Sequence, residues 1–374
     1  MFFHTIKILN FNKFRYVIYF LGLFGVLILI ALFVNIFNHQ SNKTIFNPEQ
    51  YLGELDKPET SFFEEVRDSL DTVIEQWGVQ AAIDLNEYAF TNQKYGIYQC
   101  HVVMHLLGHE AVAYYGSDFE TIINRNIHFC ELGYQHGAEA QVALNGGDYK
   151  DELYRLCDLI HKKTLNSTCF HGAGHAFMND SLDVNKSLKL CDDLINETYT
   201  LKDMAPCYNS VFAELTNLVG GTDGATGIEY TGGPPLKIDE ETPIAYCSKF
   251  GERYKTECMF EFSGLGVSTD STDAEIEKKL IECTTGEYDE VLESACIQSV
   301  SAVGAQHLLA HNTQLVVPQS VFTFSSSTRT SYIIGAGTEM KQYIISGVNK
   351  DWESFCSSFL SYTDRVQCRL IFTQ

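Results

Sequence analysis

The sequence predicts an all-α fold of disulfide-stapled α-hairpin repeats, stacked as a solenoid or closed as a toroid and preceded by one transmembrane helix. Three observations carry that expectation. Cysteines recur at short, similar intervals, apolar residues recur at helical spacing, and one long apolar run stands near the N-terminus.

The apolar run comes first. Residues 16–34 read YVIYFLGLFGVLILIALFV without a charge, and at about 1.5 Å per residue such a helix spans a hydrocarbon core of roughly 30 Å. We assign the transmembrane helix to 16–37 and a cytoplasmic tail to 1–15. Lys7, Lys13 and Arg15 precede the run with no acidic residue among them, and an excess of positive charge marks the cytoplasmic side. A cleaved signal peptide has an apolar part of about 7–15 residues ending at a small-residue cleavage site. This run is longer and is followed by Asn35-Ile36-Phe37-Asn38-His39. The chain is therefore expected to be a single-pass membrane protein, with the membrane as its partner through this signal-anchor and the C-terminal domain extracytoplasmic. Residues 38–60, polar and carrying Pro48 and Pro58, read as a stalk.

Charge excludes some partners. The chain has 26 Lys and Arg against 48 Asp and Glu, a net charge of −22. That balance argues against nucleic acid and against anionic lipid surfaces as ligands. It does not choose among a small-molecule, peptide or glycan substrate. Asn-x-Ser/Thr sequons at Asn42, Asn166, Asn179, Asn185 and Asn196 suit an extracellular glycoprotein.

All 12 cysteines follow the apolar run, on the side where oxidising conditions let disulfides persist. No Cys-x-x-Cys pair exists, so a thiolate zinc cluster or a thioredoxin-type site is not expected. Cys157 and Cys169, Cys191 and Cys207, Cys247 and Cys258, Cys283 and Cys296, and Cys356 and Cys368 form five similar intervals. In each, the first cysteine lies in a polar amphipathic stretch and the second opens a more apolar one. That is the pattern of a helical hairpin stapled near its turn, where helices about 8–10 Å apart allow a bridge. Cys100 and Cys130 are left to pair with each other. Sequential pairing is the simplest of many connectivities.

From Ser61 the helical pattern begins, with Phe62, Phe63, Val66, Leu70, Val73, Ile74 and Trp77 on one face. We divide the rest into His-rich helical repeats over 61–216, a Gly/Pro-rich loop over 217–245 and further helical repeats over 246–374. Within the last, an insert near 315–334 (VVPQSVFTFSSSTRTSYII) has a strand-like composition and suggests a hairpin or lid.

The histidines carry the functional expectation. CHVVMHLLGHEAVAYY, from Cys100, puts His101, His105 and His109 at four-residue steps on one helical face. CELGYQHGAEAQ, from Cys130, puts His136 and Glu139 three apart, and CFHGAGHAF, from Cys169, puts His171 and His175 four apart. His136 and His175 both fall six positions after their cysteine. If the units stack in parallel, these rings converge. A lone histidine is usually a satisfied polar residue, but paired histidines in three consecutive units are harder to explain that way. Neutral imidazole is a common metal ligand. We therefore expect a divalent metal, zinc first, held by His105, His109, His136, His171 and His175, with His101, His307 and His311 as additional candidates. Glu139 and Glu110 are candidate catalytic bases toward water. A carboxylate-bridged dinuclear site also fits this inventory. Gly108, Gly137, Gly172 and Gly174 beside the histidines indicate close helix approach.

P-loop, GxGxxG, GxSxG, HExxH and CxxCH motifs are absent. The expected function is a membrane-anchored metalloprotein, with metal-dependent hydrolysis as its chemistry. The alternatives are a non-catalytic scaffold binding protein or glycan, or a metal-capture protein.

Overall fold

A computed structural model describes residues 46–48, 69–70, 72–91, 97–123, 130, 132–147, 149–163, 169–220, 242–265, 267, 271–286, 288–310, 317–345 and 351–373. The chain divides into two compact units, 1–47 and 48–374, and all that follows concerns the second. The transmembrane assignment at 16–37 and most of the stalk lie outside the described residues. Among the described residues, no helix is long and apolar enough to cross a membrane.

The described residues are helical, with no strand among them. Their architecture follows from two kinds of helix. One kind is short-sided and amphipathic, such as α5 (Tyr149–Lys163) and α7 (Val184–Asp192), which bury only one stripe. The other is apolar nearly all round, such as α4 (Gly133–Leu144) and α6 (His171–Ser181), whose buried residues run almost without interruption. A helix apolar on all sides must be covered on all sides, so the second kind forms an inner row and the first kind packs outside it.

The inner row begins with α1 (Val79–Thr91) and α2 (Ile97–Tyr115). It continues through α4, α6, α8 (Ala205–Gly220), α10 (Glu252–Ser263), α12 (Glu290–Ala310), α13 (Ser326–Ile345) and α15 (Tyr362–Thr373), each packed on its predecessor and successor. Outside lie α3 (Phe119–Ile123), α5, α7, α9 (Pro243–Cys247), α11 (Asp273–Thr285) and α14 (Trp352–Ser358). Local signals place several starts. Thr272 and Glu275 form a capping box on α11, and Thr242 caps α9 with Pro243 at its first position.

All 12 cysteines are paired as the intervals predicted. Five bridges tie an outer helix to the inner helix that follows it, or to its opening turn, and Cys100–Cys130 ties α2 to the turn before α4. Cα separations of 5.4–5.9 Å suit unstretched bridges. Disulfide-rich bodies of this kind are common among proteins of oxidising environments.

The strand-like expectation for 315–334 is corrected. Gln319–Thr323 is a 3-10 turn, and α13 begins at Ser326. Its β-branched residues are outweighed by packing: Gly335 lies against the Gln298 carbonyl, and Ser331 Oγ meets Ser294 Oγ at 2.8 Å, so a small-residue face seats α13 closely on α12. α8 runs to Gly220, and residues 221–241 of the Gly/Pro-rich segment lie outside the described residues.

Candidate metal centre

Helices α2, α4, α6 and α8 cross closely because glycine sits where they meet. A Cβ on Gly137 would collide with the His105 carbonyl, and one on Gly172 with the His136 carbonyl; Gly108 and Gly174 are equally tight against α4 and α8. These crossings bring the first histidine of each helix within reach of the next helix. The turns that open α4 and α6 add strain to the same place. Leu132 has φ 63° and Phe170 φ 69°, left-handed conformations costing a non-glycine residue roughly 1–2 kcal/mol.

The result is a cluster of five imidazoles. His105, His136, His171 and His175 form a closed circuit, with ring centroids 5.4 Å apart for His105–His136, 4.3 Å for His136–His171, 4.9 Å for His171–His175 and 5.5 Å for His175–His105. His101 flanks one side of the circuit, 4.7 Å from His105 and 5.5 Å from His136. One nitrogen from each of His101, His105 and His136 lies within 4.8 Å of the other two.

The nitrogens divide into those pointing out to a partner and those without one. His101 Nδ1 lies 3.0 Å from the Cys130 carbonyl, and His175 Nδ1 lies 2.9 Å from Glu214 Oε2, a fully buried carboxylate. His171 hydrogen-bonds the Pro206 backbone, which has only a carbonyl to offer. These partners fix ring orientation and favour the tautomer with a lone pair on Nε2. His105 and His136 differ: both nitrogens of both rings are buried with no hydrogen-bond partner among the described residues. Each such group ordinarily costs about 1–3 kcal/mol.

Electrostatics keep four of the five rings neutral. Burial, and then the proximity of the other rings, hold His105, His136 and His171 well below the usual imidazole range. Burial lowers His101 to about 4 although the Cys130 carbonyl opposes the shift. Four rings are thus unprotonated lone-pair donors at neutral pH, which is the form that binds a cation. All cysteines are bridged, so the donor set is imidazole alone, which suits zinc, copper, nickel or iron.

The remaining candidates are placed as follows. His109 Nδ1 meets Gln141 Oε1 at 3.1 Å. Glu110 is exposed. Glu139 is fully buried, but its oxygens accept from Gln135 Nε2 at 2.8 Å and from the Gly172 amide at 3.0 Å, so it caps the start of α6 beside the Cys157–Cys169 bridge. Burial raises it to about 8 despite those hydrogen bonds. His307 stands on α12 against Asp273 at 3.1 Å, beside a separate cavity of about 440 Å³. His311 lies outside the described residues.

Three carboxylates that no motif had singled out matter more. Glu214 holds His175. Glu257 and Glu261, on α10, are both raised to about 7 by burial. Glu257 lines a cleft of about 880 Å³ that also includes His171, Pro206, Asn209, Glu290 and Gln298. Glu261 accepts a hydrogen bond from Asn209 at 2.6 Å at that cleft. Glu214 lies in the buried stripe Cys207, Val211, Glu214, Leu215, Leu218; a carboxylate within an apolar helical stripe is the one sequence signal that could have marked it. Comparison with family models, with curated proteins and with solved structures finds no match for the chain.

Proposed function

We infer that this chain is a membrane-anchored, extracytoplasmic helical-repeat metalloprotein that binds a divalent cation, zinc first, in the five-histidine cluster. The observation that carries this reading is the pair His105 and His136, whose four ring nitrogens are buried among three further imidazoles with no hydrogen bond from any described residue. A core has little reason to keep such groups unless something coordinates them. His101, His105 and His136 supply the lone pairs, and His171 and His175 stand beside them. The charge-free run at 16–34, with basic residues only ahead of it, supports the anchor and the outward orientation.

Hydrolysis is the chemistry we assign to the centre. A bound divalent cation supplies Lewis acidity toward a carbonyl oxygen or water. The chain supplies the rest: the cleft beside His171 admits a substrate, Asn209 and Gln298 offer amide donors and acceptors, and Glu257, poised near neutrality, exchanges a proton there. Among the described residues, none of those lining the cleft is Lys or Arg, which favours an amide or ester over a phosphoester. Glu139 is less suited to act as the base, since its oxygens are engaged by Gln135 and the Gly172 amide. That engagement favours a second reading, in which the cluster captures metal without turnover.

Elemental analysis of the full-length chain in detergent tests the centre. At least one equivalent of zinc per chain is expected, lost in His105→Ala and His136→Ala. A zinc-treated wild-type chain with no bound metal would sink the reading. Turnover of ester and peptide substrates by the zinc-loaded chain then separates hydrolase from capture.

A further inference from the structure

The cavity of about 440 Å³ lies between α11, α12 and the turn that precedes α13, and none of its lining residues belongs to the histidine cluster. Its volume falls in the range of small-molecule pockets, roughly 300–1,000 Å³. Ile276, Leu308, Val317 and Pro318 give it apolar walls. Gly304 opens one of them. A glycine inside a helix of 21 residues ordinarily weakens it, and where α2, α4, α6 and α8 cross, glycine is the residue that lets backbone press against backbone. Gly304 lacks that reason: among the described residues only Ile276 Cγ2, at 3.1 Å, stands within 4 Å of where its Cβ would be, and no backbone atom does. This glycine leaves space.

Tyr332, on α13, lines the same cavity and is only 4 % exposed. Its hydroxyl makes no hydrogen bond with any described residue, and burial alone pushes the phenol upward, so it stays a neutral donor and acceptor. The other polar groups at the cavity include two carboxylates. Asp273 and Glu277 stand four residues apart on α11 and so share a face. Asp273 Oδ1 meets His307 Nε2 at 3.1 Å, and Glu277 Oε1 accepts from the Ser320 amide at 3.0 Å, which leaves each carboxylate a second oxygen. Among the described residues, none of those lining the cavity is Lys or Arg. We propose that this cavity binds a small organic ammonium ion, an aromatic or aliphatic body carrying one protonated amine. The body lies against Ile276, Gly304 and Val317, the ammonium donates to Glu277 and Asp273, and the Tyr332 hydroxyl gains the partner it lacks. Glu277 is the stronger of the two anchors because it is half-buried and less screened than the exposed Asp273. The two sites share no residue, so the inference stands independently of the metal reading.

Titration calorimetry on the full-length chain in detergent tests the site, with chelator present to keep metal out of the histidine cluster. The probes are benzylamine, phenethylamine and 2-(1-naphthyl)ethylamine, each compared with the neutral alcohol of the same skeleton. At least one amine should bind at one per chain, and its alcohol about ten-fold more weakly or worse. Glu277→Gln keeps an acceptor for the Ser320 amide and should remove the preference for amine over alcohol. Tyr332→Phe should weaken both. Gly304→Leu fills the cavity and should abolish binding. Because that change can also disturb packing, helicity is followed for each variant, and the isosteric Glu277→Gln carries the test if Gly304→Leu unfolds. The proposal is overturned if none of the three amines binds, if amine and alcohol bind equally to the wild type, or if Glu277→Gln retains the wild-type preference.

Discussion

Glu214 Oε2 accepts from His175 Nδ1 at 2.9 Å where both side chains are buried. The carboxylate comes from α8 and the imidazole from α6, so one hydrogen bond joins two inner helices and orients a ring of the cluster. Removing such a partner leaves the other group buried and unsatisfied. Glu214→Ala should cost about 1–3 kcal/mol of stability, the penalty for a buried polar group left without its partner. Glu214→Gln keeps an acceptor for Nδ1–H and should cost less, yet lower metal affinity by about 10–100-fold, as lost partners of ligating histidines do. Denaturant melts and zinc competition titrations measure the two effects. Wild-type affinity in both variants would mean that Glu214 has no part in the centre.

Gly172 and the His136 carbonyl leave no room for a methyl group between α6 and α4. Both neighbours are backbone or the Glu139 Cβ, so a clash cannot be relieved by rotating a flexible side chain. Gly172→Ala should therefore push the helices apart, at about 1–3 kcal/mol as for other overpacked cores. It should also reduce zinc binding although no ligand is changed. Gly78→Ala is the contrasting case: nothing lies within 4 Å of its Cβ, but its φ of 85° strains any side chain, so stability falls while metal binding persists. Equal zinc affinity in Gly172→Ala and the wild type would disconnect the glycine crossings from the site.

Much of this was legible in the chain because it is encoded locally. A cysteine interval of 11 to 16 residues across a helical turn leaves few partners within reach, so pairing could be read directly. The shared offset of His136 and His175 from their cysteines likewise implied a shared face, and their rings do stand in one cluster. What the sequence concealed depends on neighbouring helices. Glu139 lies three residues from His136, which suggested a common target, but its carboxylate reaches instead to the buried Gly172 amide at the start of α6. Glu214, Glu257 and Glu261 gain their environments from α6, α8 and α12, and none stands in a motif. The 315–334 segment was misread because β-branched composition is weaker than a close seat on α12.

The Cys157–Cys169 bridge joins α5 to the turn where Phe170 adopts its left-handed conformation. Closing a loop of 12 residues contributes about 3 kcal/mol in the chain-entropy view. The double change Cys157→Ser and Cys169→Ser should lower the melting temperature by several degrees. It should also loosen His171, which follows that turn, and weaken zinc binding. The corresponding change at Cys356 and Cys368 should destabilise the chain to a similar extent without affecting zinc, because α14 and α15 lie at the far end of the row. Peptide mapping under non-reducing conditions checks the pairing itself, and any pair other than these six would contradict the fold.

The stability of the metal-free protein should pass through a maximum near pH 6.5. Stability rises with pH wherever the unfolded chain holds more protons than the native one. His101, lowered to about 4, and His105, His136 and His171, held well below 6.5, refuse protons in the native state that they accept once unfolded. Their contribution is therefore complete above 6.5 and is lost as the pH falls toward the folded values. Glu139, raised to about 8, and Glu257 and Glu261, raised to about 7, act in the opposite sense. They hold protons in the native state that the unfolded chain has released above about 4.5, so their contribution declines from there to pH 8. Below 6.5 the four histidines outweigh the three carboxyls, and above it only the carboxyls still change. Bound zinc should widen the acid side, because ligands that resist protonation keep their metal well below pH 6.5. Denaturant titrations at pH 5, 6.5 and 8, with chelator and with zinc, give the profile. A chelated protein whose stability keeps rising through pH 8 would show that the buried carboxyls ionise without cost, and with them would go the low polarity assigned to the cluster and its cleft.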